Sequence, residues 1–201
     1  MQMFGIEKAD KCMYCLLFEE KEPLYLYYRE FQMYELKSGE DLDPDIYDIL
    51  LHQVLGKRVT KRAMHLLERK DYTEWQLRTK LLKNNYPKEA VDQAIEYVKE
   101  YQYVDDQRYA IHYVQLHQKA KNRRKIELDL KQRGISKDII HSVIEAEYSA
   151  DEEEQIELLL KKRHFVAAVS NEAEFRRTYQ FLMRRGYSGS VVLRKMKESF
   201  I

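Results

Sequence analysis

Two stretches of this chain decide its fold: LRTKLLKNNYPKEAVDQAI at residues 77–95 and IELDLKQRGISKDIIHSVI at residues 126–144. They align without a gap, and each places apolar residues at the spacing that buries one face of a helix. Asn85 in the first stretch and Gly134 in the second are residue types that end helices in the left-handed conformation. The two stretches therefore predict one helical unit that occurs twice.

The same two stretches also agree in where the next helix begins and in which positions face a core. Pro87 and Ser136 occupy equivalent positions, and both residue types favour a helix start. This agreement extends the predicted unit to a pair of helices joined by a tight turn. The matched apolar positions are Leu77 with Ile126, Leu81 with Leu130, Ala90 with Ile139, Val91 with Ile140, Ala94 with Val143 and Ile95 with Ile144.

A third, weaker copy of the unit follows near the C-terminus. It departs from the pattern at Lys195, where the second copy has the apolar Val143. Further helices are predicted before the three copies, at 58–69, 105–119 and 151–164. Three tandem three-helix units of roughly 50 residues each should stack into an elongated, curved rod. The residues that define the third copy are Leu182, Gly186, Tyr187, Ser188, Val191, Val192 and Met196.

The N-terminal part of the chain has a different character from the repeats. Aromatic and apolar runs at 13–18 and 24–28 predict a small β-hairpin, and 31–36 is a candidate third strand. Asp43 and Pro44 are expected to start a helix over 45–55 that ends near Gly56. We predict an all-α protein with a small N-terminal hairpin. Its segments are a hairpin at 1–42, a linking helix at 43–56 and repeat units at 57–103, 104–149 and 150–201.

Several side chains receive specific structural predictions from their local pattern. Thr73 and Gln76 form a capping box that starts a helix. Trp75 is expected to pack between helices. Further residues are expected in the helical core because of their spacing: Leu77, Leu81, Leu82, Tyr97, Tyr101, Tyr109 and Tyr113.

The charge distribution is uneven although the net charge is only +1. Residues 1–56 carry 12 acidic and 5 basic residues, whereas residues 57–133 carry 11 acidic and 19 basic residues. Residues 134–201 are balanced, with 11 of each sign. A positive central part predicts a polyanionic partner, or a partner that is itself bound to a polyanion.

The composition argues against several classes of protein. No apolar run of about 18 residues occurs, so no transmembrane helix is expected. The chain has 6 glycines and no phosphate-binding loop or hydrolase motif, so we predict no enzyme activity and no cofactor. Cys12 and Cys15 form a C-x-x-C pair, but without a second ligand pair we predict no metal site. So few cysteines favour a reducing cytoplasm.

The order of several short motifs resembles the RecX family over about residues 60–200. Residues 63–77, AMHLLERKDYTEWQL, resemble the opening of the family repeat. Residues 103–110, YVDDQRYA, resemble its most recognisable segment, and Lys131 to Ile135 resemble the end of its second unit. The resemblance marks Asp105, Asp106, Arg108, Tyr109 and Gly134 as structural motif residues. The two aspartates suit a helix start better than a catalytic pair.

The resemblance implies a bacterial regulator of the recombinase RecA. Such a protein would bind RecA filaments on single-stranded DNA and inhibit ATP hydrolysis, strand exchange and co-protease activity, with roles in DNA repair and the SOS response. It also implies DNA binding, with duplex DNA as an open alternative to single strands. A monomer is expected. The sign of the effect, the role of the hairpin and the division of contacts between RecA and DNA stay open.

Basic residues of the first two repeats are the candidate contacts to DNA or to the filament. The segment 119–125 is the densest, and it lies where a helix start could meet phosphate. A solvated helix face is the structural alternative, as is pairing of Arg123 or Arg124 with Asp105 or Asp106. The candidates are Lys57, Arg58, Lys61, Arg62, Arg69, Lys70, Arg78, Lys80, Lys83, Lys119, Lys121, Arg123, Arg124, Lys125, Lys131 and Arg133.

The N-terminal tyrosines and two other functions complete the set of alternatives. Tyr25, Tyr27, Tyr28 and Tyr34 could stack on bases, although packing of a small sheet is the favoured explanation. A stand-alone DNA-binding protein with helix-turn-helix-like units would bind with a steep salt dependence. A helical scaffold for peptides would need an apolar groove, whereas the sequence shows charge.

Overall fold

A computed structural model describes residues 3–37 and 39–199 of the chain. The chain divides into two compact units, Met1–Asp105 and Asp106–Ile201. The first unit contains an N-terminal sheet and the first helical repeat, and the second unit contains the other two repeats. The predicted mostly helical fold with a small N-terminal sheet is confirmed. In the described part of the chain, no helix combines the length and the apolar character needed to cross a membrane.

The N-terminal sheet has one strand more than the predicted hairpin. Its antiparallel strands are β1 (Met3–Lys8), β2 (Met13–Phe18) and β3 (Leu24–Tyr27), with β2 in the middle. The extra strand comes from the extreme N-terminus, so the predicted third strand at 31–36 is wrong. Residues 31–33 belong to helix α1 (Tyr28–Met33), and 34–36 follow it as a turn. The start of α1 is fixed by a hydrogen bond from Tyr27 N to Glu30 Oε2, at 2.7 Å.

A continuous helical stretch joins the sheet to the first repeat. It begins with α2 (Pro44–Asp48), capped as predicted by Asp43, whose carboxylate accepts from Asp45 N. It continues through a π-helical segment, Ile49–Leu55, into α3 (Gly56–Leu67). The predicted helix end at Gly56 is therefore wrong. Gly56 has φ −55° and ψ −48°, and its missing side chain makes room for the side chain of Gln93.

One hydrophobic core holds the N-terminal sheet and the first repeat together. Leu16, Leu24 and Leu26 of the sheet are fully buried in the same cluster as Leu50 of the π-helical segment and Val59 of α3. At about 25 cal/mol per Å² of buried apolar surface, each such leucine contributes roughly 1.5 to 3 kcal/mol. The sheet thus folds back onto the first repeat instead of extending away from it.

The three repeats each contain three helices and a left-handed turn between the last two. The turn residues are Asn85, Gly134 and Gly186, with φ of 58°, 80° and 89°, so the predicted helix stops are confirmed. The helices are α3, α4 (Glu74–Leu82) and α5 (Lys88–Glu100); α6 (Asp106–His117), α7 (Arg123–Gln132) and α8 (Lys137–Glu147); and α9 (Glu152–Lys162), α10 (Glu172–Met183) and α11 (Gly189–Glu198).

Some predicted core residues instead lie at the surface. Leu82 is 40% exposed, Trp75 51%, Tyr97 41% and Tyr101 56%, whereas Tyr113 is buried as predicted. The helical spacing is correct, but alanine, valine and isoleucine side chains fill the buried face of α5. Tyr97 and Tyr101 lie beside that face, with tilted rings whose centroids are 4.7 Å apart. Periodicity identifies a stripe without showing which part of it another helix covers.

Repeats two and three are joined within the second unit by hydrogen bonds at the start of α7. The side-chain amide of Asn122 donates to the carbonyl of Gly186, and Asn122 N donates to the carbonyl of Arg185 at 3.4 Å. A Cβ atom on Gly186 would lie 2.5 Å from Asn122 Oδ1 and 2.9 Å from Lys125 Cβ. Glycine is therefore required both for the turn and for the junction.

The irregular position Lys195 is explained by ion pairs in the third repeat. Its ammonium group lies 2.6 Å from Glu157 Oε1 and 3.1 Å from Glu153 Oε2. Both carboxylates come from α9, so Lys195 joins α11 to α9 where the second repeat uses the apolar Val143. An ion pair between two helices here replaces an apolar contact.

Candidate nucleic-acid interface

The clearest cationic surface lies on α3 of the first repeat. Val59, Ala63 and Leu66 bury one face of the helix, and Lys57 and Lys61 lie exposed on the other, one turn apart. Within residues 3–37 and 39–199, neither lysine forms an ion pair with a carboxylate. Because their charges are not neutralised by the protein, they are available to an anionic ligand.

A second group of cations surrounds Tyr72, in the turn between α3 and α4. Lys70 Nζ lies 4.5 Å and Lys80 Nζ 5.9 Å from the centre of the Tyr72 ring. Lys83 is exposed three residues after Lys80 on α4, and Arg69 is exposed at the end of α3. The ring brings together two ammonium groups that are ten positions apart in the sequence.

Arg58 has a structural role, although it neighbours the exposed cations of α3. Its guanidinium donates to the carbonyl of Tyr25 at 2.8 Å and pairs with Glu30. It also lies 4.3 Å from the centre of the Tyr27 ring. The side chains of Arg58 and Glu30 are mostly buried. Arg58 therefore fastens the N-terminal sheet to α3.

Arg78 likewise forms ion pairs within the first repeat. It pairs with Asp92 of α5 and, at 3.1 Å, with Glu74, which also contacts Lys99 at 2.9 Å. Burial would raise the pKa of Glu74, but hydrogen bonds from Lys99 and Arg78 outweigh it and lower that pKa. This network crosslinks α4 and α5.

Lys121 and Lys125 of the second repeat both contact one buried carboxylate, that of Asp129. The distances are 2.8 Å from Lys121 Nζ to Oδ2 and 2.8 Å from Lys125 Nζ to Oδ1, and Tyr113 donates to Oδ2 at 2.9 Å. Burial would raise the pKa of Asp129, but these hydrogen bonds prevail and lower it to about 2. The densest basic segment of the sequence is therefore partly neutralised from within.

Arg123 and Arg133 are also held by neighbouring groups of the second repeat. Arg123 pairs with Glu127 at 3.2 Å and with Glu145 of α8. Arg133 donates to the hydroxyl of Tyr109 at 3.2 Å and to the carbonyl of Asp129 at 2.9 Å. The candidate cations of this repeat that lie exposed are Lys119, Arg123, Arg124 and Lys131, and of these Arg123 forms the ion pairs just described.

The helix start at the centre of the segment 119–125 is engaged by the protein itself. The carboxamide oxygen of Asn122 accepts from Lys125 N at 2.9 Å, and its amide group donates to Gly186. The turn of the third repeat thus covers one side of the first turn of α7. Phosphate would have to approach through the exposed Lys119 and Arg124 side chains.

The motif residues lie around the start of α6. Asp106 is the first residue of that helix, and Asp105 precedes it. Asp105, Asp106 and Arg108 each take part in interactions of the folded chain. Tyr109 is half-buried, and its hydroxyl accepts a hydrogen bond from Arg133. Their position at a helix start agrees with the structural role expected for them.

The C-x-x-C pair does not form a ligand cluster. Cys12 is exposed in the turn before β2, and Cys15 is buried within the strand. Burial raises the pKa of the Cys15 thiol. No group of three or more His, Cys, Asp or Glu side chains in the described part of the chain is placed to hold a metal ion.

A cleft beside the end of β3 contains residues that the sequence predicts only in part. Its volume is about 590 Å³. The sequence makes Tyr27 and Tyr28 candidates for base stacking, whereas it does not single out the cations beside them. The run YYR at 27–29 is the local signal, since single-strand binders combine aromatic rings with basic side chains. The lining residues are Lys11, Cys12, Tyr27, Tyr28, Arg29 and Glu30.

Comparison with known families matches all three repeats. Residues 61–97 match the RecX first three-helix domain, residues 105–144 the second and residues 151–196 the third. The match thus includes each helical repeat and leaves the N-terminal sheet outside.

Individual relatives and solved structures agree with the family match. The chain is 29% identical over 160 residues to "Regulatory protein RecX" of Caldanaerobacter subterraneus, covering 78% of each chain. It is 31% identical to the protein of that name from Vibrio campbellii, covering 63% of this chain and 81% of the relative. A crystal structure of regulatory protein RecX superposes with a TM-score of 0.59 at 21% identity over 98% of both chains. RecX from Lactobacillus salivarius gives 0.56 at 18% identity, covering 73% of this chain and 97% of the other.

Proposed function

The chain belongs to the RecX family of regulatory proteins, and from that premise we propose that it regulates the recombinase RecA. It binds RecA filaments on single-stranded DNA and inhibits their ATP hydrolysis, strand exchange and co-protease activity. Through these effects it acts in DNA repair and in the SOS response. Its place of action is the cytoplasm.

The exposed cations of the first repeat carry the nucleic-acid part of this proposal. Lys57 and Lys61 on α3 present two charges on the face opposite the core. Lys70 and Lys80 converge on Tyr72 nearby in the same repeat. Arg58 and Arg78 of the first repeat, and Lys121 and Lys125 of the second, form ion pairs within the fold. More of the candidate cations that lie exposed belong to the first repeat than to the second.

The mechanism is steric and electrostatic. The tandem repeats contact neighbouring RecA subunits and hinder the rearrangements needed for ATP turnover and strand exchange. The cations of α3 lie near the phosphates of the bound strand, where release of counterions adds to affinity.

The first test measures the DNA-dependent ATPase of RecA with stoichiometric amounts of the purified protein. Wild type is expected to lower the rate, and Lys57→Glu with Lys61→Glu is expected to require on the order of tenfold more protein for the same effect. The matched control is Arg176→Glu with Arg177→Glu, an equal charge reversal on exposed residues of α10. An unchanged ATPase with wild type at equimolar RecA would contradict the regulatory proposal.

Salt dependence separates this function from that of a stand-alone DNA-binding protein. Direct phosphate binding loses about 0.7 log units of affinity per contact per log unit of salt on single strands. Filament binding that also uses protein contacts should show a shallower slope and should require RecA. A steep slope that is the same with and without RecA would favour the stand-alone alternative.

A further inference from the structure

We infer that the N-terminal sheet carries a stacking site for an unpaired base, with Tyr27 as the ring and the neighbouring cations as phosphate contacts. The partner is single-stranded nucleic acid, bound at the cleft beside β3. The inference goes beyond the proposed function because it requires no RecA. The stacking rings also lie outside the repeats that define the family match.

Tyr27 is held in a fixed position and yet is accessible. The Arg58 guanidinium lies 4.3 Å from the ring centre, and Arg58 is itself fixed by the carbonyl of Tyr25 and by Glu30. Even so, 46% of Tyr27 is exposed. A cation behind an aromatic ring orients it without occupying the rest of its surface. Such a ring loses little conformational freedom when a base stacks on it.

Tyr28 extends the aromatic surface beside it. It is 47% exposed, and its ring lies 5.9 Å from that of Tyr14, which stacks on Phe31 with centroids 4.8 Å apart. The Tyr28 hydroxyl accepts a hydrogen bond from Gln32 at 2.7 Å. Two adjacent, half-exposed rings on a supported aromatic stack resemble the platforms on which single-strand binders hold bases.

The charge around the cleft suits an anionic chain, although the N-terminal segment is acidic as a whole. Lys11 and Arg29 line it and are exposed. Its one lining carboxylate, Glu30, is neutralised by Arg58. Asp10, next to the cleft, uses its carboxylate to accept from Cys12 N and Met13 N. With Glu30 paired to Arg58, Lys11 and Arg29 give the lining of the cleft a net positive charge.

The cations of α3 continue from the cleft along the first repeat. Arg62 lies one turn beyond Arg58 on α3. Both guanidinium groups act on Tyr86: they lower the pKa of its hydroxyl, whereas burial raises it by more. Tyr27 contacts Arg58, and it also acts to raise the pKa of Tyr86. The rings at the end of β3 and the cations of α3 thus lie within one region, where a strand can stack a base and place phosphates in succession.

Single-stranded nucleic acid fits this surface better than duplex. In a duplex the faces of the bases are covered by their neighbours, so exposed tyrosine rings have nothing to stack on. The cleft of about 590 Å³ lies within the usual size range of a site for a small planar group. Its cations, in turn, favour a phosphate chain over a neutral peptide.

The test is fluorescence anisotropy of a labelled oligothymidine with the full chain and without RecA. Tyr27→Ala and Tyr28→Ala are each expected to weaken binding by about 5- to 150-fold, and Tyr27→Phe by no more than about twofold. Tyr101→Ala, at an equally exposed tyrosine outside the cleft, should leave binding unchanged. A duplex of the same length should bind more weakly and should not respond to Tyr27→Ala.

A salt titration adds a readout that a loss of folding would not reproduce. Tyr27→Ala should lower the affinity without changing the slope of log affinity against log salt concentration, because stacking releases no counterions. Arg62→Gln should reduce the magnitude of that slope by about 0.7, because one phosphate contact is lost. The inference is wrong if both alanine variants, with unchanged thermal unfolding, bind as wild type does. It is equally wrong if Tyr101→Ala weakens oligothymidine binding as much as Tyr27→Ala does. It is also wrong if the alanine variants change binding to RecA but not binding to the oligothymidine. A failed ATPase test would leave it intact.

Discussion

Asp129 shows at the residue scale how the second repeat uses its positive charge. Its carboxylate is 6% exposed and receives hydrogen bonds from Lys121, Lys125 and Tyr113. Its pKa of about 2 lies below its ordinary value of 3.8. We expect Asp129→Asn to lower the free energy of unfolding at pH 7 by about 2 to 3 kcal/mol, measured by urea unfolding.

The pH dependence gives a second measurement for the same substitution. A group whose pKa is lower in the folded state stabilises the protein above its unfolded pKa, and the gain is lost as pH falls through the folded pKa. The difference between wild type and Asp129→Asn should therefore shrink between about pH 4 and pH 2. Glu127→Gln removes an exposed partner of Arg123 on the same helix and should cost less than about 1 kcal/mol. Equal losses for the two substitutions would contradict the assigned role of Asp129.

The sequence identified the cations but not their partners. Arg58 pairs with Glu30 and Arg78 with Asp92, and both acids lie in other elements. Which acid a cation meets is set by tertiary packing, which a charge count cannot show. The count could therefore identify the basic repeats, whereas the division into structural and exposed cations required the fold.

The turn at Gly186 is the element on which the junction of repeats two and three depends. Its φ of +89° and its close approach to Asn122 both exclude a side chain. We expect Gly186→Ala to lower the free energy of unfolding by about 2 to 4 kcal/mol, because strain and steric overlap add. Denaturant unfolding followed by circular dichroism would measure the loss.

Gly39 provides a matched control that separates backbone strain from steric overlap. Its φ is +82°, but a methyl group placed there would have no atom within 4 Å. Gly39→Ala should therefore cost about 1 kcal/mol, from backbone strain alone. If the two alanine variants lose the same stability, the junction contact contributes nothing measurable.

Elements were predictable where a single residue fixes the local backbone. The turns at Asn85, Gly134 and Gly186 follow from the need for positive φ, and the helix after Asp43 follows from its cap. The helix end predicted at Gly56 was wrong, because a glycine inside a helix can also allow a neighbouring side chain to pack closely against the backbone. Strand β1 was not predicted, although it pairs with β2 across a short turn, because its run MFGIEK contains a glycine and two charged residues and so has a weak strand pattern.

At the scale of the whole molecule, the division at residues 105 and 106 predicts two independently stable parts. Each unit has its own buried clusters, and the sheet shares its cluster with the first repeat. We expect the fragments Met1–Asp105 and Asp106–Ile201 each to retain helical circular dichroism and a cooperative thermal transition.

Removing the sheet tests the shared core directly. A fragment of residues 43–105 exposes Leu50 and Val59, which are fully buried in the intact chain. Below roughly 70 residues a core rarely sustains a fold after such a loss. This fragment should melt without cooperativity. A cooperative transition equal to that of Met1–Asp105 would show that the sheet is dispensable for folding.

The hydrogen bond between Asn122 and Gly186 also bears on the order of events during synthesis. The two residues are 64 positions apart. At about 5 to 20 residues per second, a ribosome takes on the order of 3 to 13 seconds to add that length. In the later part of this interval the second repeat is complete while the third is not, so its junction surface is open to chaperones and to other nascent chains. Completion of the third repeat then closes that surface.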